Sequence, residues 1–334
     1  MGAQAQVGAP VTLWRIPALV VLLLLLVATV RPVSAAEARH AIVVFGATGG
    51  ETYGRTWAEW RQGIGDALRT RFGFADDHVI VLSADAADPA LRSTAAGVRS
   101  AFERLRRQAA KDDLVLVVLI GHGTADGEGA RFNLVGPDLD VADWASLVEH
   151  LPGRLVFVNG AGASFPFLER LSGNGRIVIT ATDAAAQRFD TRFPEQFVAA
   201  LTDPATDADK NGRVSIWEIF SRASAAVRQY YDQRGQLATE RALLDDTGDR
   251  MGQEAGAPGP DGTLARTTYL DPDPAAAADD PELAELIARR RALEIAAEQL
   301  KLKKPSMPAA TWDAEFERLM IELARVSKAI RNRS

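Results

Sequence analysis

A histidine stands where a long apolar run ends. Residues 114–129 read LVLVVLIGHGTADGEG, so His122 lies between two glycines, after seven consecutive apolar residues. An imidazole changes charge close to neutral pH, which suits it to act as a general base or acid. The chain contains no cysteine, so His122 has no thiol to activate. Because Gly-His-Gly is a weak motif, a role in orienting the loop is the alternative to catalysis.

A second group of residues has the spacing of a calcium-binding loop. Residues 207–218 read DADKNGRVSIWE, with oxygen-bearing side chains at loop positions 1, 3, 5, 9 and 12 and glycine at position 6. The predicted ligands are Asp207, Asp209, Asn211, the backbone carbonyl of Arg213, Ser215 and a bidentate Glu218. With one such loop, we expect calcium in a structural site filled at the millimolar concentrations found outside cells. An acidic turn without metal is the alternative.

A further acidic turn follows at residues 245–249, which read DDTGD. Carboxylates this close together can hold another ion, but their spacing matches no calcium motif.

Five short apolar runs predict the element that positions these residues. Runs that are apolar at every position are typical of parallel strands buried on both faces, and they occupy residues 41–45, 78–83, 114–120, 154–158 and 176–180. Helical patterns separate the first three runs. The sequence therefore predicts an α/β fold with a doubly wound, mostly parallel sheet and helices on both faces. Ligands of such sheets bind beyond the carboxyl ends of the strands, where His122 is expected.

The order of the motifs resembles the legumain-like cysteine peptidases of the caspase clan, a family that includes the catalytic subunit of the GPI transamidase. The resemblance spans residues 41–252 and rests on VLIGHGT, on VFVNGAGASFPFLERLSGNGRIVITATDA and, more loosely, on GGETYGRTW. It implies a caspase-like fold in which His122 matches the family's histidine. Ala161 stands where the family has its nucleophilic cysteine.

This resemblance implies a pseudopeptidase, because an alanine methyl cannot attack a carbonyl group. The expected function is then the binding of a peptide or protein ligand. The resemblance also places Arg55 at the family's substrate-recognising arginine and Asp183, after the fifth strand, among the pocket residues. The alternative for both is a charge exposed to solvent.

Two other functions remain open from the sequence. Ser164 could replace the cysteine as nucleophile with His122 as its base, which would make the protein an active hydrolase. A nucleotide site is the other alternative, since VVFGATGG precedes a helical pattern and Asp85 follows the second strand. The glycines at positions 46, 49 and 54 do not have the G-x-G-x-x-G spacing.

Residues 1–35 are predicted to be a signal peptide. Arg15 precedes the apolar residues 16–30, and small residues follow Arg31 where a signal peptidase would cut. The protein is then exported, to the periplasm or the extracellular space, and folds without disulfides. An uncleaved membrane anchor is the alternative, and membrane contact is expected through no other segment. The net charge of −6 argues against nucleic acid as a partner.

The C-terminal part of the chain has a different composition. Residues 251–280 are rich in Gly, Pro, Ala and Asp, which predicts a linker or a long surface excursion. Residues 281–331 have apolar residues at heptad spacing on either side of KKPSMP, which predicts an antiparallel helical hairpin. Asp280 and Thr311 are the candidate N-caps. The hairpin can pack on itself, on the sheet domain or on a partner.

Overall fold

A computed structural model describes residues 2, 37–126, 129–275, 278 and 280–333. The predicted signal peptide, residues 1–35, lies outside the described residues except for Gly2. A compact unit begins at Glu37. Among the described residues, no helix is both long enough and apolar enough to span a membrane.

Six strands form the central sheet and three short strands form a second one. The strands are β1 (Arg39–Phe45), β2 (Val79–Leu82), β3 (Leu114–Ile120), β4 (Gly123–Asp126), β5 (Gly129–Phe132), β6 (Leu139–Asp140), β7 (Arg154–Asn159), β8 (Ile177–Thr180) and β9 (Leu243–Asp245). The central sheet has the order β2-β1-β3-β7-β8-β9, and the small sheet has the order β4-β5-β6. The five predicted strands are parallel, whereas β9 pairs antiparallel with β8 at the edge.

Helices cover both faces of the central sheet. They are α1 (Glu51–Asp66), α2 (Ala95–Gln108), α3 (Val141–Glu149), α4 (Phe165–Leu171), α5 (Phe193–Thr202), α6 (Ile216–Asp232), α7 (Thr263–Thr267), α8 (Pro281–Lys303) and α9 (Ala309–Arg331). Buried residues of α1, α5 and α6 pack in one core with Val43 and Val118, and those of α2, α3 and α4 pack in another with Ile42 and Val117. Because successive strand residues face opposite sides, apolar runs fill both cores. The predicted caspase-like, doubly wound α/β architecture is confirmed.

The C-terminal helices form the predicted antiparallel hairpin. Arg333, after α9, forms ion pairs with Asp280 and Glu282 at the start of α8. At the other end, the indole Nε1 of Trp312 donates to the carbonyl oxygen of Leu300 over 2.8 Å. Asp280 caps α8 as predicted by accepting from the amide of Glu282. Thr311 was expected to be the N-cap of α9. The helix instead begins at Ala309 with Pro308 as its N-cap, so Thr311 lies within the first turn.

Part of the segment predicted to be a linker is packed against the domain. It contains α7, and Asp261, Ala265 and Leu270 are each at most 1% exposed. The composition suggested an open chain, but buried apolar residues are spaced between the glycines and prolines. The hairpin docks on this segment through ion pairs between Arg266 and Glu298, 3.7 Å, and between Arg291 and Asp273, 2.7 Å.

Candidate functional site

His122 lies at the carboxyl edge of the central sheet, two residues beyond the end of β3 at Ile120. The adjacent strand β1 ends at Phe45, and the amide of Gly46 donates to the carbonyl oxygen of Ile120 over 2.9 Å. The chain therefore leaves both strands at the same point. The loop after β1 and the loop after β3 are held together there, as expected for a ligand-binding edge of a parallel sheet.

Both ring nitrogens of His122 have partners. Nδ1 lies 2.9 Å from Oδ1 of Asp190, and Nε2 lies 3.2 Å from the carbonyl oxygen of Thr48. The side chain is 24% exposed. A Cβ atom on Gly49, whose φ is +69°, would lie 3.4 Å from Nε2 of His122, so the loop after β1 passes close to the imidazole. His122 thus connects two loops that are 68 and 74 residues away in sequence.

Aromatic residues of α1 surround the imidazole. The ring of Tyr53 meets it edge-on at 4.8 Å between centroids, and the ring of Trp57 lies at 5.2 Å. The Tyr53 hydroxyl donates to Oδ2 of Asp190, so this carboxylate binds both His122 and Tyr53. That hydrogen bond to the carboxylate stabilises the neutral phenol, which raises the pKa of Tyr53.

Ala161, at the position matched to the cysteine nucleophile, is buried. It is 1% exposed, and its amide donates to Oδ1 of Asn159 over 3.0 Å. A Cβ atom on Gly123 would lie 3.2 Å from the Cβ of Ala161, so the alanine faces the backbone directly after His122. The nearby Ala163 has a φ of 51°, a left-handed conformation that is rare for a residue other than glycine. The loop after β7 is therefore tightly constrained beside His122.

Ser164 is fully buried and is bonded to residues 181–182. Its Oγ accepts from the amides of Ala181 and Thr182, both at 3.1 Å, and lies 3.0 Å from Oγ1 of Thr182. The amide of Ser164 donates to Thr182 Oγ1 as well. His122 has Asp190 and Thr48 as its hydrogen-bond partners, so the structure does not bring Ser164 and His122 together.

The two predicted substrate-binding residues lie apart from this cluster. Arg55 is exposed on α1, and its side chain takes part in none of the side-chain hydrogen bonds or ion pairs of the described residues. Asp183 follows β8 and forms an ion pair with Arg241 at 3.2 Å. Arg241 also contacts Glu254, at 3.5 Å. Asp183 therefore serves as one of two acidic partners of a single arginine.

The sequence did not predict Asp190 and Tyr53, which both contact the imidazole of His122. Tyr53 belongs to the GGETYGRTW stretch, whereas Asp190 lies six residues beyond Ala184, the last residue of the motif that begins in β7. Asp190 is 68 residues from His122 in sequence, and the hydrogen bond between Tyr53 and Asp190 spans 137 residues. The available signal was position alone, because both follow a parallel strand at its carboxyl end.

The predicted calcium loop brings its acidic residues together. One carboxylate oxygen each from Asp207, Asp209 and Glu218 lies within 4.8 Å of the others. Asp207 accepts from the amides of Asn211 and Gly212 at 3.1 and 2.9 Å, which folds the loop around its first ligand. Gly212 has a φ of +84°, a conformation that glycine adopts without strain. Burial, with a contribution from nearby Glu218, raises the pKa of Asp209.

Hydrogen bonds to the backbone of residues 268–270 fix the C-terminal end of this loop. Ser215 caps α6, and its amide and hydroxyl both donate to Oε2 of Glu218 at 2.8 Å. The amide of Ile216 donates to the carbonyl oxygen of Thr268, and the amide of Leu270 donates to that of Val214. The side chain of Arg213 leaves the loop to lie over the ring of Tyr269, 3.9 Å from its centroid, while its carbonyl occupies the position of a backbone ligand. The arrangement has the donor set of a hard cation.

Comparisons with known proteins give little further information. No protein-family model and no curated protein matches the chain. Among solved structures, the chain is similar to the crystal structure of protein GSU0716 from Geobacter sulfurreducens, at 13% identity and a TM-score of 0.41, covering 62% of this chain and 92% of that one.

Proposed function

We propose that this protein is a non-catalytic binding domain of the caspase-like type, with a peptide or protein as its ligand. The observation that carries the proposal is the state of the two catalytic positions. Each ring nitrogen of His122 lies beside an acceptor oxygen of a neighbouring loop, and the position matched to the nucleophile has the buried methyl group of Ala161. A peptidase of this type needs a thiolate or alkoxide next to a free imidazole nitrogen.

The hydrogen bonds of Ser164 argue against the hydrolase alternative. Its hydroxyl oxygen already accepts from two amides and has Thr182 as its third partner. A nucleophilic serine needs its proton directed at a base, within about 3 Å.

The first turn of α1 argues against the nucleotide alternative. A helix binds phosphate through free amides and a positive end. Glu51 occupies this turn, and the imidazole of His122 lies beside Gly49 in the preceding loop.

An exposed apolar side chain marks where a ligand would bind. Phe189 is 71% exposed and immediately precedes Asp190, the partner of His122. A Cβ atom on Gly162 would lie 2.8 Å from the carbonyl oxygen of Phe189, so this loop packs against the loop that contains Ala161. Large exposed aromatic residues are frequent energetic centres of protein interfaces. The proposed binding surface therefore consists of Phe189 and Tyr53.

Calcium is part of the same proposal as a structural ion. The carboxylates of Asp207, Asp209 and Glu218 converge, and the loop supplies Asn211, Ser215 and the carbonyl of Arg213 at the motif's other positions. The ion would fix the start of α6, which packs in the core against α5. Export, also proposed, would expose the loop to the calcium concentration that such a site requires.

A peptide array and a peptidase assay test this function together. The purified protein, in millimolar calcium, is incubated with an array of random peptides and with a quenched-fluorescent peptide library. We expect retention of a subset of peptides, its loss in Phe189→Ser, and no cleavage. The matched control is Leu237→Ser, which removes an apolar residue that is 93% exposed.

Either of two results would overturn the proposal. Cleavage that disappears in Ser164→Ala, with the variant still folded, would establish the hydrolase. Peptide retention that Phe189→Ser and Leu237→Ser reduce equally would mean that the surface near His122 is not the binding site.

A further inference from the structure

A second group of carboxylates lies at the end of the antiparallel edge strand. Asp245 is the last residue of β9, Asp249 lies in the turn that follows, and Asp261 precedes α7. One carboxylate oxygen of each lies within 4.8 Å of one oxygen of each of the others. The turn DDTGD provides two of these groups, and the fold adds Asp261 from the segment predicted to be a linker.

The two inner carboxylates are almost fully buried. Asp245 and Asp261 are each 1% exposed. Backbone amides surround Asp245: its Oδ1 accepts from Thr247 and Gly248, and its Oδ2 accepts from Arg250 over 2.7 Å. Hydrogen bonds of this kind favour the ionised form of a carboxylate.

Asp261 has one oxygen without a partner. Its Oδ1 accepts from the amides of Asp246 and Thr247 at 3.1 and 3.2 Å. Its Oδ2 is buried and forms no hydrogen bond with any of the described residues. A buried carboxylate oxygen without a hydrogen bond is costly, so its presence in a folded core requires an explanation. This oxygen belongs to a carboxylate that contributes one oxygen to the acidic cluster.

None of the salt bridges among the described residues includes Asp245, Asp249 or Asp261. The adjacent Asp246 is also buried, and its two oxygens are taken by the amides of Gly262 and Ala265. Burial, with a contribution from Asp245, raises the pKa of Asp261 to about 6. Buried carboxylates in this arrangement need a counter-ion.

We propose that Asp245, Asp249 and Asp261 bind a second Ca²⁺ ion, independent of the predicted loop at residues 207–218. Oxygen-only donors select hard cations, and Ca²⁺–O distances of about 2.3–2.6 Å allow ligand oxygens to lie up to roughly 5 Å apart. Asp261 Oδ2 is the deep ligand, and the exposed Asp249 closes the site from the solvent side. The ion would tie the end of β9 to residues 258–262.

Calcium stoichiometry distinguishes this site from the predicted loop. The full chain is stripped with chelator and titrated with CaCl2 by isothermal calorimetry, with equilibrium dialysis as a second count. We expect two ions per wild-type chain, one in Asp249→Asn, one in Glu218→Gln and none in the double variant. Asp249 is exposed, so its replacement leaves the core intact, and Asp112→Asn, in an exposed turn, is the matched control.

A second variant tests the deep ligand. Asp261→Asn keeps the shape of the side chain but halves its carboxylate oxygens, and we expect at least a tenfold loss of affinity at one of two sites. A wild-type chain that binds one ion, lost in Glu218→Gln and retained in Asp249→Asn, would overturn the second site. A count of two that neither Asp249→Asn nor Asp261→Asn lowers would overturn it as well.

Discussion

Ser164 connects two loops through its hydroxyl oxygen. Replacing it tests whether its role is structural or catalytic. In Ser164→Ala, the buried amide of Thr182 loses its acceptor, and the amide of Ala181 keeps only the carbonyl oxygen of Asn159. We expect the free energy of unfolding to fall by about 1–3 kcal/mol, the cost of leaving buried donors unsatisfied. Urea denaturation measures it.

The matched control for this variant is Ser93→Ala. Ser93 is also fully buried, but its Oγ has no partner among the described residues. Its removal should change stability by less than about 1 kcal/mol, because no hydrogen bond is lost. If the two variants lower the free energy of unfolding equally, the hydrogen bonds of Ser164 do not stabilise the fold.

Asp190 controls the ionisation of Tyr53. In the wild type, the phenol donates to the carboxylate, which favours the protonated form and raises the pKa of Tyr53. Asp190→Asn removes the charge, so we expect Tyr53 to ionise at lower pH. Tyrosinate absorbance measured against pH, with Tyr53→Phe to identify its contribution among four tyrosines, would detect the change. An identical titration in both proteins would mean that the contact does not form in solution.

The accessibility of position 161 can be measured directly. The chain has no cysteine, so a single introduced thiol can be followed without background. We expect Ala161→Cys to react with iodoacetamide at least tenfold more slowly than Leu237→Cys, because position 161 is 1% exposed and position 237 is 93% exposed. Burial also raises a thiol pKa. Fast alkylation that depends on His122 would instead place position 161 in an open catalytic cleft.

Single residues were predictable from the sequence when their neighbours were local. The seven-residue run before His122 placed it at the end of β3, and the loop spacing brought Asp207, Asp209 and Glu218 together. The contacts of Asp190 and Asp261 were not predictable, because their partners lie far away along the chain. Asp261 lies in a stretch whose composition indicates a linker, yet it is 1% exposed.

At the scale of elements, the proposed calcium loop, residues 207–218, and α6 form one unit. Glu218 stands at the third position of α6 and bonds the cap residue Ser215, so loop and helix share a ligand. Adding calcium should raise the melting temperature of the wild type, since an ion that binds only the folded chain stabilises it. In Glu218→Gln, which loses the bidentate carboxylate, we expect most of this increase to disappear.

Thermal melting between micromolar and millimolar calcium measures this effect, with Asp112→Asn as the control of equal charge change. A wild-type melting curve that calcium leaves unshifted would rule out both proposed ions. If calcium raises the melting temperature of Glu218→Gln as much as that of the wild type and the control, residues 207–218 do not bind the ion.

Elements differ in how far the sequence predicts them. The strands β1, β2, β3, β7 and β8 are runs of apolar residues, and the observed bounds agree with the predicted ones within two residues. The small sheet was not predicted, because β4, β5 and β6 have two to four residues each and lie in a polar, glycine-rich stretch. Strand β9 was not predicted either, because it has only three residues and is positioned by its pairing with β8.

At the scale of the whole molecule, the C-terminal hairpin and the calcium loop face each other. The carboxylate of Glu294, on α8, lies close enough to Asp209 and Arg213 to interact with both electrostatically, and burial raises its pKa. A groove between them is lined by Asp209, Trp217, Glu298 and Phe316, among others. Without an ion, Asp209, Glu218 and Glu294 place negative charge on both sides of this contact.

Calcium should therefore tighten the docking of the hairpin. A bound ion neutralises the acidic side of the contact, so we expect amides of α8 near residues 290–298 to exchange with deuterium more slowly in calcium than in chelator. Glu218→Gln should remove this difference, whereas peptides from β2, on the far edge of the sheet, serve as the internal control. The opposite result is that calcium slows exchange in peptides of the loop but leaves the exchange rate of α8 peptides unchanged. The ion would then act on the loop alone. Slower exchange throughout α8, lost in Glu218→Gln, would establish the hairpin as part of the calcium-dependent fold.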